Sequence, residues 1–235
     1  MNKLIVITGG TKGIGRAIIE KFASVNFDIA TCSRHQTDLD ELKQTLEKKY
    51  PQVSVFVKVA DMADKKQVFD FCAFVNDLGR SADILVNNAG YFIPGEISSE
   101  PEGTLESMIN ANLYSAYYTT RGLVQSMIAR KKGYIFNMCS IASIKAYANG
   151  GSYAISKFAM LGLSKCLREE LKPYGIRVTA IMPGATKTAS WDGVNIPDER
   201  FMPIEDIAEM VYAAWALSDR SVVEEIIIRP QLGDI

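Results

Sequence analysis

Residues 4–15 read LIVITGGTKGIG, an apolar, β-branched run that leads directly into a glycine-rich loop. The run over 4–8 predicts a buried strand, and the amphipathic pattern over 12–26 predicts a helix after it. Glycines let the backbone come close to a bound group, and a helix N-terminus offers free N–H groups to an anion. The spacing differs from G-x-G-x-x-G, and glycine turns after strands are often purely structural. The loop alone therefore allows two interpretations, a structural turn or a dinucleotide site.

The same alternation of strand and helix continues along the rest of the chain. Continuous apolar runs predict further strands at 27–33, 53–59, 84–87, 134–138, 177–182 and 225–228. Amphipathic stretches predict further helices near 38–49, 64–79, 104–131, 152–173 and 205–218. No linker or repeat interrupts this alternation. The sequence therefore predicts one α/β domain over 1–235, a Rossmann-type doubly wound parallel sheet of about seven strands with helices on both faces.

Composition excludes several classes of protein. The 235 residues include 26 Lys and Arg against 27 Asp and Glu, so the chain lacks the basic excess of a nucleic-acid module. A single histidine, His35, excludes a metal site with several histidine ligands. We expect buried free thiols in a reducing compartment at Cys32, Cys72, Cys139 and Cys166. The chain shows neither a signal peptide nor a membrane span, so we expect a soluble cytoplasmic protein.

The end of the second predicted strand indicates which dinucleotide the glycine loop would hold. An NAD site usually places an acid here for the ribose diol, but no acid lies between Asp28 and Asp38. Instead, Arg34 follows the strand and Lys12 lies inside the glycine loop. Two cations there favour the 2′-phosphate of NADPH, the alternative being two solvated surface cations. We expect His35 to be an exposed loop residue near the adenosine end, without a catalytic role.

Tyr153 and Lys157 lie four residues apart near the start of a predicted helix, so they share one face. A free phenol is a poor acid or base at neutral pH, because its pKa is about 10. Lowering that pKa to about 7 requires roughly 4 kcal/mol. One ammonium about 4 Å away supplies that order of energy at an effective dielectric constant of about 20. Lys157 could thus tune Tyr153 for acid–base chemistry without any histidine.

In chain order, these motifs resemble those of the classical short-chain dehydrogenase/reductase family, and the resemblance covers residues 3–235. A Tyr-x3-Lys pair alone is a weak signal, but further motifs stand at matching spacings along the chain. The matching pieces are Thr8-Gly9-x3-Gly13-x-Gly15, Asp61, Asn87-Asn88-Ala89-Gly90, Asn112, Ser140, Tyr153-x3-Lys157, Pro183-Gly184 and Thr188.

The resemblance implies a catalytic set of Asn112, Ser140, Tyr153 and Lys157. Tyr153 would protonate the carbonyl oxygen during reduction, and Ser140 would hydrogen-bond that oxygen. Lys157 would bind the nicotinamide ribose and lower the pKa of Tyr153. Asn112 would hold a water that links Lys157 to solvent, or form a helix–helix hydrogen bond. Ser143 is the alternative to Ser140, but only Ser140 has the family's spacing to Tyr153.

The resemblance also implies NADP(H) as cofactor, and no metal. Asp61 would accept a hydrogen bond from the adenine amino group, and Asn88 would lie along the ribose. Thr186 and Thr188 would close on the nicotinamide amide and the pyrophosphate. The implied cofactor residues are Gly9, Thr11, Lys12, Gly13, Ile14, Gly15, Ser33, Arg34, Asp61, Met62, Asn88, Ala89, Gly90, Tyr153, Lys157, Pro183, Gly184, Thr186 and Thr188.

The implied activity is NADPH-dependent reduction of a carbonyl to an alcohol by hydride transfer. The segments 91–98, 142–150 and 185–202 would line the substrate pocket, with Trp191 as a substrate wall or a lid residue. The segments 190–207 and 222–235 resemble bacterial sepiapterin-reductase-like proteins, which implies a pterin dicarbonyl side chain or another diketone. The alternative is a 3-oxoacyl thioester reductase of fatty-acid synthesis.

Two functions from other classes fit the sequence less well. A dinucleotide-binding regulator without catalysis predicts a damaged Ser, Tyr and Lys set, and here the set is intact. A Ser–His hydrolase requires Ser140 and His35 to meet, although they follow different strands and no Gly-x-Ser-x-Gly elbow surrounds Ser140.

The resemblance further implies a homodimer or homotetramer, because the family commonly pairs the two long helices across a two-fold axis. Met127, Phe158 and Leu161 look like exposed apolar residues on the predicted helices 104–131 and 152–173. The expected small-molecule partner is a carbonyl or alcohol substrate, and neither a nucleic acid nor a membrane is expected to bind.

Overall fold

The structure is a computed structural model that describes residues 1–188, 191, 193 and 195–235. The predictions for segments 185–202 and 190–207 therefore fall partly outside the described residues.

Seven parallel strands form a single sheet in the order β3-β2-β1-β4-β5-β6-β7. The strands are β1 (Leu4–Thr8), β2 (Asp28–Ser33), β3 (Val55–Val59), β4 (Ile84–Asn87), β5 (Gly133–Met138), β6 (Ile176–Pro183) and β7 (Glu225–Ile228). Strands β2 and β3 lie on one side of β1, whereas β4 to β7 lie on its other side. This reversal leaves a crevice at the carboxyl ends of the strands, where open α/β sheets bind ligands. The predicted doubly wound parallel sheet is confirmed.

Helices cover both faces of the sheet. They are α1 (Gly13–Ala23), α2 (Gln36–Lys49), α3 (Lys65–Asn76), α4 (Thr104–Ile109), α5 (Ser115–Arg130), α6 (Gly151–Leu171) and α7 (Ile204–Ala216). The predicted helical segment near 104–131 is present from Thr104 to Arg130, but a π-helical turn (Asn110–Tyr114), which was not predicted, lies between α4 and α5. Apolar periodicity does not detect such a turn, since a single wider turn changes the register by only one residue.

Alternate residues of β1 pack on opposite faces of the sheet. Ile5 and Ile7 contact the layer formed by α1, α2 and α7, which includes the fully buried Phe22. Leu4 and Val6 belong to the other layer, which contains residues of α3 and α5. Burial on both faces explains why the strand sequences are continuous apolar runs rather than alternating ones.

Asp28 anchors the amino end of β2, at the edge of the sheet opposite the crevice. Its carboxylate accepts hydrogen bonds from Arg80 Nη1 at 2.6 Å, from the Ser54 N–H at 2.9 Å and from Asn2 Nδ2 at 3.1 Å. Burial acts to raise the pKa of Asp28, but these hydrogen bonds and the Arg80 charge outweigh it and hold the pKa below its ordinary value.

Two expectations about exposure are wrong. Cys32, Cys72 and Cys139 are buried free thiols as expected, but Cys166 is exposed. Met127 and Leu161 are buried rather than exposed. Apolar sequence neighbours do not decide which side of a helix faces the core, because residues beside each other in sequence point about 100° apart.

No helix in the described part of the chain combines the length and apolar character needed to cross a bilayer. Within residues 1–188, 191, 193 and 195–235, no cluster of His, Cys, Asp and Glu side chains could hold a metal ion.

Candidate active site

A cavity of about 1200 Å³ opens over the carboxyl ends of the strands. It runs from the glycine loop to the start of α6 and so joins the predicted cofactor and catalytic residues in one space. Of the predicted site residues, only Gly15 and Asn112 lie outside its lining. The predicted residues that line it are Gly9, Thr11, Lys12, Gly13, Ile14, Ser33, Arg34, Asp61, Met62, Asn88, Ala89, Gly90, Ser140, Tyr153, Lys157, Pro183, Gly184, Thr186 and Thr188.

The glycine loop has the backbone geometry that its sequence predicts. Gly9 and Gly13 adopt φ values of +68° and +55°, a region that disfavours residues with a Cβ. A Cβ at Gly15 would lie 2.5 Å from the Gly9 carbonyl oxygen and 2.6 Å from Asn88 Nδ2. Gly15 therefore supports the loop from behind, while Gly9 and Gly13 face the cavity.

Asn88 joins the glycine loop to the end of β4. Its Nδ2 donates to the carbonyl oxygens of Thr8 and Gly9, each at 3.0 Å. The Thr8 hydroxyl in turn accepts the N–H groups of Asn88 and Ala89, each at 3.0 Å. These bonds fix the two strand ends against each other and hold the loop open toward the cavity.

The residues present fit a bound dinucleotide. Helix α1 begins after Lys12 without a side-chain cap, so its first N–H groups are available to a pyrophosphate beside the glycine loop. A Cβ added at Gly13 would lie 3.3 Å from Thr188 Cγ2, so Thr188 stands directly against this loop. These residues form a cradle of backbone donors at a helix N-terminus.

The end of the cavity that is predicted to hold the adenosine is formed by the glycine loop and the start of α2, and it carries the charged side chains of Lys12, Arg34 and Asp38 together with His35. Arg34 and His35 line it and are exposed. Lys12 is mostly exposed, and its Nζ lies 3.0 Å from Asp38 Oδ2. The sequence analysis identified both cations but missed that one of them pairs with Asp38, which lies in the first turn of α2.

Tyr153, Ser140 and Lys157 converge at the other end of the cavity. The Ser140 hydroxyl stands beside the Tyr153 phenol and acts to lower its pKa. Lys157 Nζ lies 5.7 Å from the centre of the Tyr153 ring and donates to the Met138 carbonyl oxygen at 2.8 Å. The Phe92 ring meets the Tyr153 ring edge-on, with centroids 4.9 Å apart. The tyrosine is therefore fixed on one side by an apolar contact and on the other by a polar one.

Burial shifts the pKa values of Tyr153 and Lys157, and both shifts favour a protonated Tyr153. Burial raises the pKa of Tyr153, and the neighbouring Ser140 hydroxyl only partly offsets this. Burial lowers the pKa of Lys157 to about 8. The net shift of the Tyr153 pKa is therefore upward, whereas the sequence predicts that Lys157 lowers it. A protonated phenol suits the donation of a proton to a substrate.

Ser140 and Ser143 have distinct positions in the turn after β5. Ser140 lines the cavity, whereas Ser143 is fully buried. Ser140 Oγ accepts the Ala142 N–H at 3.1 Å, and Ser143 Oγ accepts the Ser140 N–H at 3.2 Å. Ser143 therefore holds the turn that presents Ser140, a supporting contact that the sequence analysis did not identify.

Asn112 lies in the π-helical turn and is buried behind the cavity. Its Nδ2 donates to Ser156 Oγ at 2.9 Å and to the Tyr91 carbonyl oxygen at 3.0 Å. Its Oδ1 accepts the Tyr91 N–H at 2.9 Å. The helix–helix hydrogen bond is thus present, and the same side chain also fixes the backbone of the segment that follows β4.

The predicted substrate segments each contribute to the cavity wall. Trp191 lines the cavity while its ring contacts Phe201 edge-on at 5.1 Å, so it has features of both predicted roles, wall and lid. Asp234 and Ile235 also line the cavity, and the sequence analysis did not place them there. The position of these two residues at the cavity depends on the path of the chain after β7, and local sequence does not predict that path. The other lining residues from the predicted segments are Tyr91, Phe92, Ile93, Lys145, Tyr147, Ala148, Ala185, Thr186 and Thr188.

Comparisons with known proteins agree with this geometry. The profile of the family described as short chain dehydrogenase matches residues 3–198. A sepiapterin reductase of Chlorobaculum tepidum is 33% identical, over 100% of this chain and 99% of that protein. An alcohol dehydrogenase from Thermococcus sibiricus, solved with 5-hydroxy-NADP, superposes with a TM-score of 0.91 at 26% identity, covering 98% of this chain and 97% of that one. An L-sorbose reductase from Gluconobacter frateurii, solved with NADPH and L-sorbose, has a TM-score of 0.88 at 28% identity, with coverages of 97% and 95%. The chain belongs to the short chain dehydrogenase family.

Proposed function

We propose that the protein is an NADP(H)-dependent oxidoreductase that reduces a carbonyl group to an alcohol. The observation that carries this proposal is the convergence of Tyr153, Ser140 and the buried Lys157 in a cavity that is continuous with the glycine loop. The bound cofactor supplies the hydride. The chain supplies the proton, the alignment of the substrate and the exclusion of water.

Each catalytic side chain has one task in this proposal. Tyr153 donates its phenolic proton to the carbonyl oxygen as negative charge develops there. Ser140 donates a hydrogen bond to the same oxygen. Lys157 holds the nicotinamide ribose and places positive charge beside the phenolate that remains. Asn112 holds a water through which Tyr153 recovers its proton by way of Lys157.

The proposed cofactor is NADP(H). Residues 1–235 are proposed to form the single domain that binds it. Two structural neighbours were solved with NADP(H) or an NADP derivative, and Arg34 and Lys12 stand where a 2′-phosphate needs cations. Asp61 at the adenine, Asn88 at the ribose, and Thr186 with Thr188 at the nicotinamide half complete the proposed contacts. The cytoplasmic location stays a prediction from the sequence.

The proposed substrate is a dicarbonyl compound, either the side chain of a pterin or a simple diketone. Support comes from the full-length similarity to a sepiapterin reductase and from the cavity wall. That wall contains the aromatic side chains of Tyr91, Phe92, Tyr147 and Trp191, which suit a flat ring.

A substrate panel tests the proposal. Oxidation of NADPH and of NADH is followed with sepiapterin, a simple diketone and an acetoacetyl thioester. We expect turnover with NADPH and at least one dicarbonyl compound. Turnover of the thioester alone would indicate a 3-oxoacyl thioester reductase instead. NADPH binding without turnover of any carbonyl compound would indicate a regulator that has lost catalysis.

We also propose that two or more copies pair through the outward faces of α5 and α6. Ile155 and Phe158 on α6 are exposed, as are Tyr114, which ends the π-helical turn, and Tyr117 in the first turn of α5. A second cavity of about 730 Å³ with a largely apolar lining opens on the same side of α6. Light scattering of the wild type and of Phe158→Glu tests this pairing. We expect a dimer or tetramer for the wild type and a smaller species for the variant, whereas a monomeric wild type contradicts the proposal.

A further inference from the structure

Helix α6, which carries Tyr153 and Lys157, begins without a side-chain cap of its own. Its N-cap residue is Gly150, which has no side chain to accept the free N–H groups of the first turn. Glu100 supplies the missing acceptor from 52 positions earlier in the chain. Its Oε2 accepts the Ser152 N–H at 3.4 Å, and its Oε1 accepts the Ser152 hydroxyl. Ser152 is fully buried and Glu100 is half-buried, so this contact is partly shielded from solvent.

Backbone contacts hold the segment that carries Glu100 against the same helix end. The Gly95 N–H donates to the Asn149 carbonyl oxygen at 3.0 Å, and Gly95 forms a parallel bridge with Gly150. Gly151 has a φ of +26°, and a Cβ there would collide with the Gly95 carbonyl oxygen and lie 3.0 Å from Glu100 Oε2. The fit is therefore close enough to require glycine at this position.

The segment 91–100 connects this cap to the reacting groups. Asn112 fixes its first residue, Tyr91, and its last residue, Glu100, is bonded to Ser152. Between them, Phe92 lines the cavity and contacts the Tyr153 ring. Ser152, which Glu100 holds, immediately precedes Tyr153 in the chain. One carboxylate thus anchors both the substrate wall and the first turn of the catalytic helix.

We propose that Glu100 is a positioning residue for Tyr153. Its carboxylate caps α6 and clamps the segment 91–100 onto the helix start, so the phenol and the substrate wall keep a fixed relative position. Negative charge is favourable at a helix N-terminus, which adds to the two hydrogen bonds. Displacement of a reacting group by about 1 Å can lower a rate on the order of 100-fold. Loss of the Glu100 contact should therefore slow the reaction even though Glu100 does not contact the substrate. This inference rests on the proposed carbonyl reductase function.

The test compares Glu100→Ala and Glu100→Gln with a matched control, Glu102→Ala. Glu102 lies two residues away and is exposed, and its side chain makes no hydrogen bond to any residue that the structure describes. For each protein, kcat and KM are measured with the best carbonyl substrate of the panel, and the NADPH dissociation constant is measured by fluorescence. Hydrogen–deuterium exchange is measured for the amides of residues 151–157.

We expect Glu100→Ala to lower kcat/KM for the carbonyl by about 10-fold to 100-fold and to raise the carbonyl KM, with the NADPH dissociation constant within about twofold of wild type. The amides of 152–154 should exchange faster. Glu100→Gln, which keeps one acceptor oxygen, should recover part of both losses, and Glu102→Ala should match wild type.

Two results overturn the inference. One is a kcat/KM of Glu100→Ala that equals that of Glu102→Ala, and the other is unchanged amide exchange at the start of α6. If the wild type reduces no carbonyl, the proposed function fails, and so does the positioning role that rests on it. The exchange experiment still decides separately whether Glu100 caps the helix.

Discussion

Lys12 and Asp38 form an ion pair at the adenosine end of the cavity, with Lys12 Nζ 3.0 Å from Asp38 Oδ2. The Lys12 side chain is 71% exposed and that of Asp38 24%. An exposed pair of this kind contributes about 0–1 kcal/mol, so Lys12 can leave Asp38 for a phosphate at little cost. The pair nevertheless places one carboxylate beside the two cations proposed to bind the 2′-phosphate.

Replacement of Asp38 by Asn should therefore strengthen NADPH binding. The change removes a negative charge near the phosphate and releases Lys12, so we expect an increase of about threefold to tenfold in NADPH affinity and little change for NADH. Fluorescence titration of both cofactors measures this. In the reverse experiment, Arg34→Asp should weaken NADPH much more than NADH, and an unchanged preference in both variants would show that the phosphate binds elsewhere.

Tyr153→Phe removes the proposed acid while keeping the ring that packs against Phe92. We expect carbonyl reduction to slow by about 100-fold to 10,000-fold, because general acid catalysis contributes that order. The NADPH dissociation constant should stay within about threefold of wild type, since the phenol is a small part of the cofactor contact. Turnover close to that of wild type contradicts the assignment of Tyr153 as the acid.

The pKa of Lys157, which burial lowers to about 8, sets a limit on activity at alkaline pH. Below that value the ammonium is charged and can hold the ribose, and above it the charge is lost. We therefore expect kcat/KM for NADPH, which reports the free enzyme, to fall as the pH rises through about 8. A profile that stays flat well above this pH would refute the assignment.

The same shift implies that Lys157 costs stability near neutral pH. Its folded pKa of about 8 lies below the ordinary 10.5, so the charged form is disfavoured in the folded state. Lys157→Met should raise the free energy of unfolding by about 1–3 kcal/mol at neutral pH, after allowing for the hydrogen bond lost at Met138. This gain should shrink as the pH rises from about 8 toward 10.5, which denaturant unfolding at several pH values would show.

Asp28→Asn should destabilise the protein without changing its chemistry, because Asp28 lies at the amino end of the sheet. Arg80 would keep a buried charge without its carboxylate, which costs about 3 kcal/mol in the free energy of unfolding. The Asp28 pKa is held below 3.8, so its contribution is present above that pH and is lost as the pH falls through the folded value. The difference between variant and wild type should therefore narrow in acid, with kcat unchanged at neutral pH.

Local sequence was sufficient to predict the strands and the shared position of Tyr153 and Lys157 on one helix beside the cavity. Continuous apolar runs mark strands buried on both faces, and a four-residue spacing places Tyr153 and Lys157 on one helix face. Contacts between distant segments were not predictable in this way. Glu100 reaches Ser152 across 52 positions, and Asp234 enters the cavity only because of the path taken after β7. Nothing in the neighbouring residues encodes either approach.

The π-helical turn at Asn110–Tyr114 also restricts how the length of this chain can vary. A π turn contains one residue more than an α turn, and removing that residue would restore a continuous α-helix. The helix on either side would keep its register, because the wider turn already absorbs the extra residue, but Asn112 within the turn would move away from both Tyr91 and Ser156. Homologous chains should accept insertions and deletions in surface loops, yet keep a constant number of residues between the end of β4 and the start of α5.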